Sequence, residues 1–462
     1  MKYTATSYVA ASKHTELEKK MIAEKRRQAG IAFPAPRKQD YLLIVRLDVS
    51  PADDKKLVSQ GLKRLCTLFE QIDSKMIEIE DTSGEGDMYM YPLTRFNFTA
   101  TIGFGKTFFR KLNLMNKCPK DLYDMPPYYE IGDKSPYVLP QTDMILQLAS
   151  NNYSVNMMVL QNDYYLRYHK GYPAGDQGYL HDSENGPLDI MGSLNGWAKI
   201  TDVHNGFHRA DGRNLMGFYD GISNPHRLVN NNIWISEDEE GRELANGTYM
   251  VFLKIQHNLR EWNKLDTQEQ EKWVGRSKAT GLLLGTLSIG EEKRLLLELH
   301  STDSSKQKQA MVRLSQLIDE QRNPRKNFFD PYDIRYLNIN KNCPISSHSR
   351  KSNPRQPNSR KEKFIFRRGC LYMEEKFADY PKSGILFISF QNDIKIFEEL
   401  KINIDQRIST PMKTEQPTKI KNYFGKKIPA RNSFYTLTLG GGYYFIPPIQ
   451  NKRISYIGQQ FF

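Results

Sequence analysis

The strongest constraint on the fold is a repeated order in which short apolar runs are followed by stretches of helical spacing. YLLIVRLDV (41–49) is β-rich and ends at a Ser50-Pro51 break, which marks a strand. In the next segment Leu57, Val58, Leu62, Leu65, Phe69 and Ile72 fall at helical spacing. FNFTATIGF (96–104) alternates apolar and polar residues and leads into a short amphipathic piece at 107–112. DMILQLAS (143–150) precedes a helical NYSVNMMVLQNDYYLRY, and WAKITDV (197–203) is one more strand. After the polar, acidic HRLVNNNIWISEDEEGRELANG the scheme restarts. GTYMVFLKIQHN reads as a strand before a helical LREWNKLDTQEQEKWVGRSKATG, and GILFISF (384–390) as a strand before QNDIKIFEELKINI. The pattern predicts an α+β fold with helices covering one face of a sheet, in two halves of comparable size. No sequence repeat is strong enough to establish a duplication. The expected organisation is an N-terminal arm over 1–40, a first domain over 41–225, a linker over 226–246 and a second domain over 247–462. Residues 323–336 and 412–432 read as loops. The 299–342 region reads as an insertion, helical at KQKQAMVRLSQLIDEQ.

A chain of 462 residues exceeds one ordinary core, which agrees with two large domains. With 39% hydrophobic and 26% charged residues it is too apolar for a disordered protein. No apolar run approaches the roughly 20 residues of a membrane span, and the N-terminal stretch has no apolar core of the secretory kind. A cytoplasmic protein with no membrane partner is expected. The four cysteines contain no CxxC pair, so reduced thiols are expected rather than a disulfide framework or a zinc site. The net charge of +13 raises the question of a polyanionic partner. Its densest basic run, SRKSNPRQPNSRKEKFIFRR (349–368), lacks interleaved aromatics for base stacking and reads better as a solvated loop. Nucleic acid is the less favoured partner, and a nucleic-acid-binding protein without a cofactor stays as a competing reading. A homodimer is the general default for soluble assemblies.

GFYDGISNP (217–225) is the most shaped loop of the chain. Gly217 and Gly221 flank Asp220, Asn224-Pro225 closes the turn, and Phe218 and Tyr219 give the loop an apolar footing while Asp220 faces a pocket. Among nine histidines, His348 stands in an unusual SSHSRKSNPR. A lone histidine is more often a surface or hydrogen-bonded residue than a ligand. In FRRG (366–369), Arg367 precedes a second arginine, and such an arginine is ordinarily a surface charge. Cys343-Pro344 is a weaker candidate for a thiolate ligand than His348. Most of the 26 tyrosines and four tryptophans read as core packing.

Taken together and in order, GFYDGISNP with HNGFHRADGRN before it, GTYMVFLKI, VGRSKATG, HSRKSNPR, FRRG, GILFISFQNDI and GGGYYFIPP closely resemble the dye-decolorising peroxidases, over about 41–448. The length and the HxRKxNPR form are similar to the longer members, grouped as classes C and D.

The resemblance implies two ferredoxin-like domains, with antiparallel sheets covered by helices and haem b between the sheet and helices of the second. It implies a peroxidase that reduces hydrogen peroxide and oxidises dyes, phenols or similar aromatic reductants through a ferryl intermediate. His348 matches the proximal histidine that ligates iron, Asp220 the distal aspartate and Arg367 the distal arginine. Arg355 is placed to pair with a haem propionate and Asp393 to receive the proton of the proximal histidine. Gly221, Ile222, Ile385 and Phe387 are expected to line the haem. A carboxylate suits a proton shuttle, and a permanent cation suits the charge that builds on a departing oxygen. The alternative within the same fold is a haem-binding or haem-transport protein with little turnover.

Overall fold

The computed structural model describes residues 19–22, 26–34, 38–50, 54–71, 76–80, 88–92, 96–125, 139–160, 179–181, 194, 196–220, 224, 230–241, 243–322, 339, 341–353, 365–374, 382–405, 419–421, 427–429, 435–449 and 456–462. Its centre is one antiparallel sheet closed into a barrel. The first half contributes β1 (Tyr41–Val49), β2 (Thr99–Phe104), β3 (Met144–Ser150) and β4 (Ala198–Phe207). The second contributes β5 (Thr248–His257), the two-residue β6 (Phe366–Arg367), β7 (Cys370–Glu374), β8 (Lys382–Gln391) and β9 (Thr436–Ile446). Around the barrel the order is β4-β1-β3-β2-β9-β5-β8-β7 and back to β4, with β6 paired to the edge of β8. Each half therefore sets its four principal strands in the order fourth, first, third, second. One residue pair closes each seam, Phe104 with Phe445 and Phe207 with Leu371.

Period-two alternation gives each strand two apolar faces. Leu43, Val45 and Leu47 of β1 point outward to helix α1 (Lys55–Gln71), whose Val58, Leu62 and Leu65 are fully buried against them. Burying each such side chain contributes about 1.5–3 kcal/mol. Leu42 and Ile44 point into the barrel with Met250, Phe252, Leu386, Ile388 and Tyr444. In the second half Tyr249, Val251 and Leu253 of β5 face outward in the same way, toward the side on which α7 (Ile394–Asp405) packs, and Phe387 lies 5.7 Å from Phe397 there. In chain order before α7 come α2 (Tyr153–Leu160), α3 (Thr267–Val274), α4 (Ile289–Leu299), α5 (Ser304–Arg322) and the single-turn α6 (His348–Lys351).

The arm, expected over 1–40, is threaded into the barrel where it is described. Gln28 donates to the carbonyls of Ile102 (3.1 Å) and Pro447 (2.9 Å), which belong to the two halves. Gln147 donates to Gly30 O (2.7 Å), and Ile31 is fully buried.

The expected strands and helices are present among the described residues, with β4 running on to Phe207 and the helical stretch after β5 divided into Leu259–Trp262 and α3; residues 161–168 of the helix expected after β3 lie outside the described residues. Beyond them, Met76–Glu80, Met88–Pro92 and Tyr179–His181 form a separate three-stranded sheet. The expected 412–432 loop contains a hairpin, Lys419–Lys421 with Lys427–Pro429, because alternation over only three residues is too short to register as a pattern. The 323–336 loop lies outside the described residues. The helix expected within the 299–342 insertion is α5, which packs back on α4 just before the insertion: Leu295, Leu299 and Ala310 bury the α4–α5 contact. All four cysteines are free thiols. Among the described residues no helix is long and apolar enough to cross a membrane.

Candidate functional site

The loop before and including Asp220 is built on its own hydrogen bonds. Asn214 donates its backbone N–H to Phe218 O (2.7 Å), and its Oδ1 accepts from the N–H groups of Met216 (3.1 Å) and Phe218 (3.0 Å). The turn requires φ +90° at Gly217, a value glycine adopts without strain. Asp220 donates its N–H to Gly212 O (3.0 Å), leaving its half-buried carboxylate at the end of a fixed backbone. Phe218 is buried against Trp262, Met216 and Tyr435, which provides the apolar footing read from the sequence.

Asn224, at the far end of the same motif, holds Arg367. Its Nδ2 donates to Arg367 O (2.6 Å) and its Oδ1 accepts from Arg367 N–H (3.0 Å), so one side-chain amide substitutes for a neighbouring strand. Arg367 lies opposite Ser389 of β8 and shares that face with Ile385 and Phe387, both half-buried. Arg368 points the other way, into the barrel. It is 3% exposed and donates to Ile31 O (2.9 Å), Pro34 O (2.6 Å) and Gln39, and burial pushes its pKa down to about 9. Strand alternation thus gives the two arginines of FRRG different tasks.

His348 begins α6, with Ser347 as the helix cap. Its ring lies parallel to Trp273, with centroids 6.3 Å apart and planes 2° from parallel. The ring is accessible, on a helix whose Ser349, Arg350 and Lys351 are buried. Loss of hydration pushes its pKa down to about 4, the positive charges of Arg367, Arg276 and Lys351 act in the same direction, and Asp220 opposes them. The imidazole is therefore neutral at pH 7, with a lone pair available to a metal. That Arg367 and Asp220 both act on it places all three in one electrostatic neighbourhood.

The walls are tied together. Lys351 donates to Ile404 O of α7 (3.1 Å), and Cys343 Sγ donates to Gly275 O (3.3 Å), where Gly275 ends α3 at φ +84°. Cys343 is thus a buried packing residue. Asp393 sits at the opposite end of α7 from Ile404, roughly 15 Å along the helix. Its Oδ1 accepts from the N–H of Lys395 (2.8 Å), and the described contacts of His348 do not include it. Arg355, Gly221 and Ile222 lie outside the described residues.

Trp273, Arg276 and His257 were not singled out from sequence. Trp273 and Arg276 flank Gly275 of VGRSKATG, so position in a motif was the available signal. His257 is 5% exposed at the end of β5, on the face of Ile255, and its Nδ1 has no hydrogen-bond partner among the described residues. Burial pushes its pKa down to about 4 against the pull of Asp220.

A neutral histidine, a carboxylate and an arginine in one electrostatic neighbourhood, with isoleucine and phenylalanine on the face of the arginine, suit a flat apolar group with a metal at its centre. Among the described residues no cluster of three His, Cys, Asp or Glu could hold a metal ion. The iron of haem carries its ring ligands with it and takes a further one from the protein, a role that suits a neutral histidine.

The chain belongs to the Dyp-type peroxidase family: the model of the family's C-terminal part matches residues 211–451 and that of its N-terminal part matches 28–164. Proteins of this family are haem-dependent peroxidases. A dye-decolorizing peroxidase of Rhodococcus erythropolis is 34% identical over 93 residues, which span 20% of this chain and 27% of that protein. A deferrochelatase of Yersinia pestis is 22% identical over 451 residues, covering 94% of this chain and 82% of that one. Among solved structures, a DyP-type peroxidase from Cellulomonas bogoriensis aligns with a TM-score of 0.60 at 19% identity, over 94% of this chain and 96% of that chain. One from Streptomyces coelicolor aligns at 0.59 and 21%, over 94% and 95%. At such identities the structural likeness bears on the fold alone.

Proposed function

We propose that this protein is a haem b peroxidase that reduces hydrogen peroxide and takes the electrons from dyes, phenols or similar aromatic reductants. The observation that carries the reading is the latch of Asn224, in the loop of Asp220, on the backbone of Arg367, alongside the neutral imidazole of His348. His348 would supply the protein's ligand to iron, held in orientation by Trp273. Ile385 and Phe387 would line the apolar face, and Arg276, Lys351 and Arg355 would be cations for the acidic edge. Gly221 and Ile222, next to Asp220, would complete the lining. When bound, the haem supplies the electrons that break the O–O bond, and the reductant replaces them afterwards.

The remaining work falls to the side chains. Asp220 takes the proton from the inner oxygen of peroxide and returns it to the outer oxygen, so that water leaves. Arg367 faces the negative charge that grows on the departing oxygen and stabilises it in a site where water competes poorly. Apolar residues on the sheet keep water from the reacting atoms.

Each half is inferred to be a ferredoxin-like unit, supported by the fourth-first-third-second strand order and by helices placed after the first and third strands. The units divide within 226–246, the haem lies between the second sheet and its helices, and the protein acts in the cytoplasm, as a homodimer.

A second reading, haem binding or haem transport with little turnover, is favoured by one observation: the Yersinia protein that matches along most of this chain is named a deferrochelatase. The two readings differ in their need for Asp220 and Arg367. With Asp220→Asn and Arg367→Leu, haem content should stay at the wild-type level while peroxide-dependent dye oxidation falls, on the order of a hundredfold or more. Full turnover in both variants would remove the roles assigned here.

A further inference from the structure

The loop of Asp220 and the wall beneath His348 are separate pieces of chain, and Arg213 links them by hydrogen bonds. Its Nη1 donates to Gly217 O (2.7 Å), three residues before Asp220, and also to Lys278 O in the 275–283 segment. The guanidinium lies 3.8 Å from the centroid of the Tyr219 ring, next to Asp220 in sequence. Its own backbone is fixed by Asp211, whose Oδ1 accepts from Arg213 N–H (3.1 Å), and by a bridge pairing with Tyr219.

The 275–283 segment in turn bears the helix of His348. Gly275 O accepts from Cys343 Sγ, and a Cβ at Gly275 would come within 2.4 Å of Ser347 Oγ, one residue before His348. The path from carboxylate to imidazole is thus short: Tyr219 and Gly217, Arg213, Lys278, Gly275, Ser347, His348. The hydrogen bonds made by Asn214 close within the Asp220 loop itself. They maintain its shape but do not fix where it stands relative to His348. A planar guanidinium can stack on an aromatic ring while donating from its edge to two carbonyls, which an ammonium cannot do in the same geometry.

We propose that Arg213 is a positioning residue that sets the separation between Asp220 and His348 by pinning the Asp220 loop to the segment on which the His348 helix rests. This rests on the reading of Asp220 as the proton-handling carboxylate. Arg213 does not touch the reacting atoms. It acts through Asp220, and its loss should matter only while Asp220 is able to work.

The test is a double-mutant cycle of Arg213→Met and Asp220→Asn in the haem-loaded protein, with amide hydrogen exchange on the haem-free protein as a second readout. Arg213→Met should keep the wild-type haem content and lower the rate of reaction with peroxide, on the order of a hundredfold, as expected for a misplacement near 1 Å. In the Asp220→Asn background it should have no further effect. Arg213→Lys should recover little of the lost rate. In the haem-free variant the amides of Phe218 and Asp220 should exchange about tenfold faster, with those of β1 unchanged. Losses that add in the double variant, or unchanged exchange at Phe218 and Asp220, would overturn the positioning role. Full activity in Asp220→Asn alone would instead overturn the reading beneath it.

Discussion

Acid should weaken this protein through His257, and the size of the effect follows from its surroundings. The residue is 5% exposed, its Nδ1 lacks a hydrogen-bond partner among the described residues, and burial depresses its pKa from 6.5 to about 4, against the pull of Asp220. In the unfolded chain the ring takes up its proton near pH 6.5, whereas in the folded protein it does so only near pH 4. Between those values the unfolded state binds more protons, so stability falls as pH falls and the loss levels off below about 4. At 1.36 kcal/mol per pH unit, going from pH 7 to pH 4.5 costs about 2 kcal/mol through this one group. The perturbation is His257→Asn, which removes the titrating ring and keeps a polar side chain. Urea unfolding of the haem-free protein, followed by circular dichroism at both pH values, reads the effect. Wild type should lose about 2 kcal/mol more than the variant over this interval. Other buried groups contribute equally to both proteins and cancel in the difference. Parallel pH dependence in the two would refute the reasoning, and so would an NMR titration of His257 with a midpoint near 6.5.

Asn224→Ala removes both hydrogen bonds to the Arg367 backbone. It should lower stability by about 2 kcal/mol and slow the reaction with peroxide while haem content is retained, as measured by stopped-flow absorbance. Arg368→Leu leaves the carbonyls of Ile31 and Pro34 and the side chain of Gln39 without their buried cation. It should cost about 3 kcal/mol and make the 26–34 arm susceptible to limited proteolysis.

Local patterns were legible in the sequence because they depend on neighbours in the chain. The β-rich run YLLIVRLDV and the helical spacing around Leu62 and Leu65 each became the expected element. Closure of the sheet was not legible, since each seam is a single pairing of residues far apart in the chain, Phe104 with Phe445 and Phe207 with Leu371. Nor could composition reveal that polar Gln28 and Arg368 are interior residues. Their burial depends on carbonyls that only the folded barrel brings within reach.

At the site, GFYDGISNP announced a constrained carboxylate, and the structure supplies the constraints in Asn214, Gly217 and Gly212. Asn224 was read as closing a turn, yet it also latches Arg367, a long-range pairing with no local sign. Trp273 reads as one more core aromatic until the chain brings it face to face with His348. Asp393, whose place after GILFISFQN matched a family position, has its Oδ1 at the N-terminus of α7, where it accepts from Lys395 N–H.

The most direct test of the haem peroxidase reading is the absorption spectrum of protein expressed with added haem, recorded before and after one equivalent of hydrogen peroxide, for wild type and His348→Gln. Wild type should show a ferric Soret band that changes on adding peroxide and returns when a dye or phenol is supplied, with the band weakened or lost in His348→Gln. A Soret band inert to peroxide would contradict turnover and favour the haem carrier, and a colourless wild-type protein would contradict the cofactor itself.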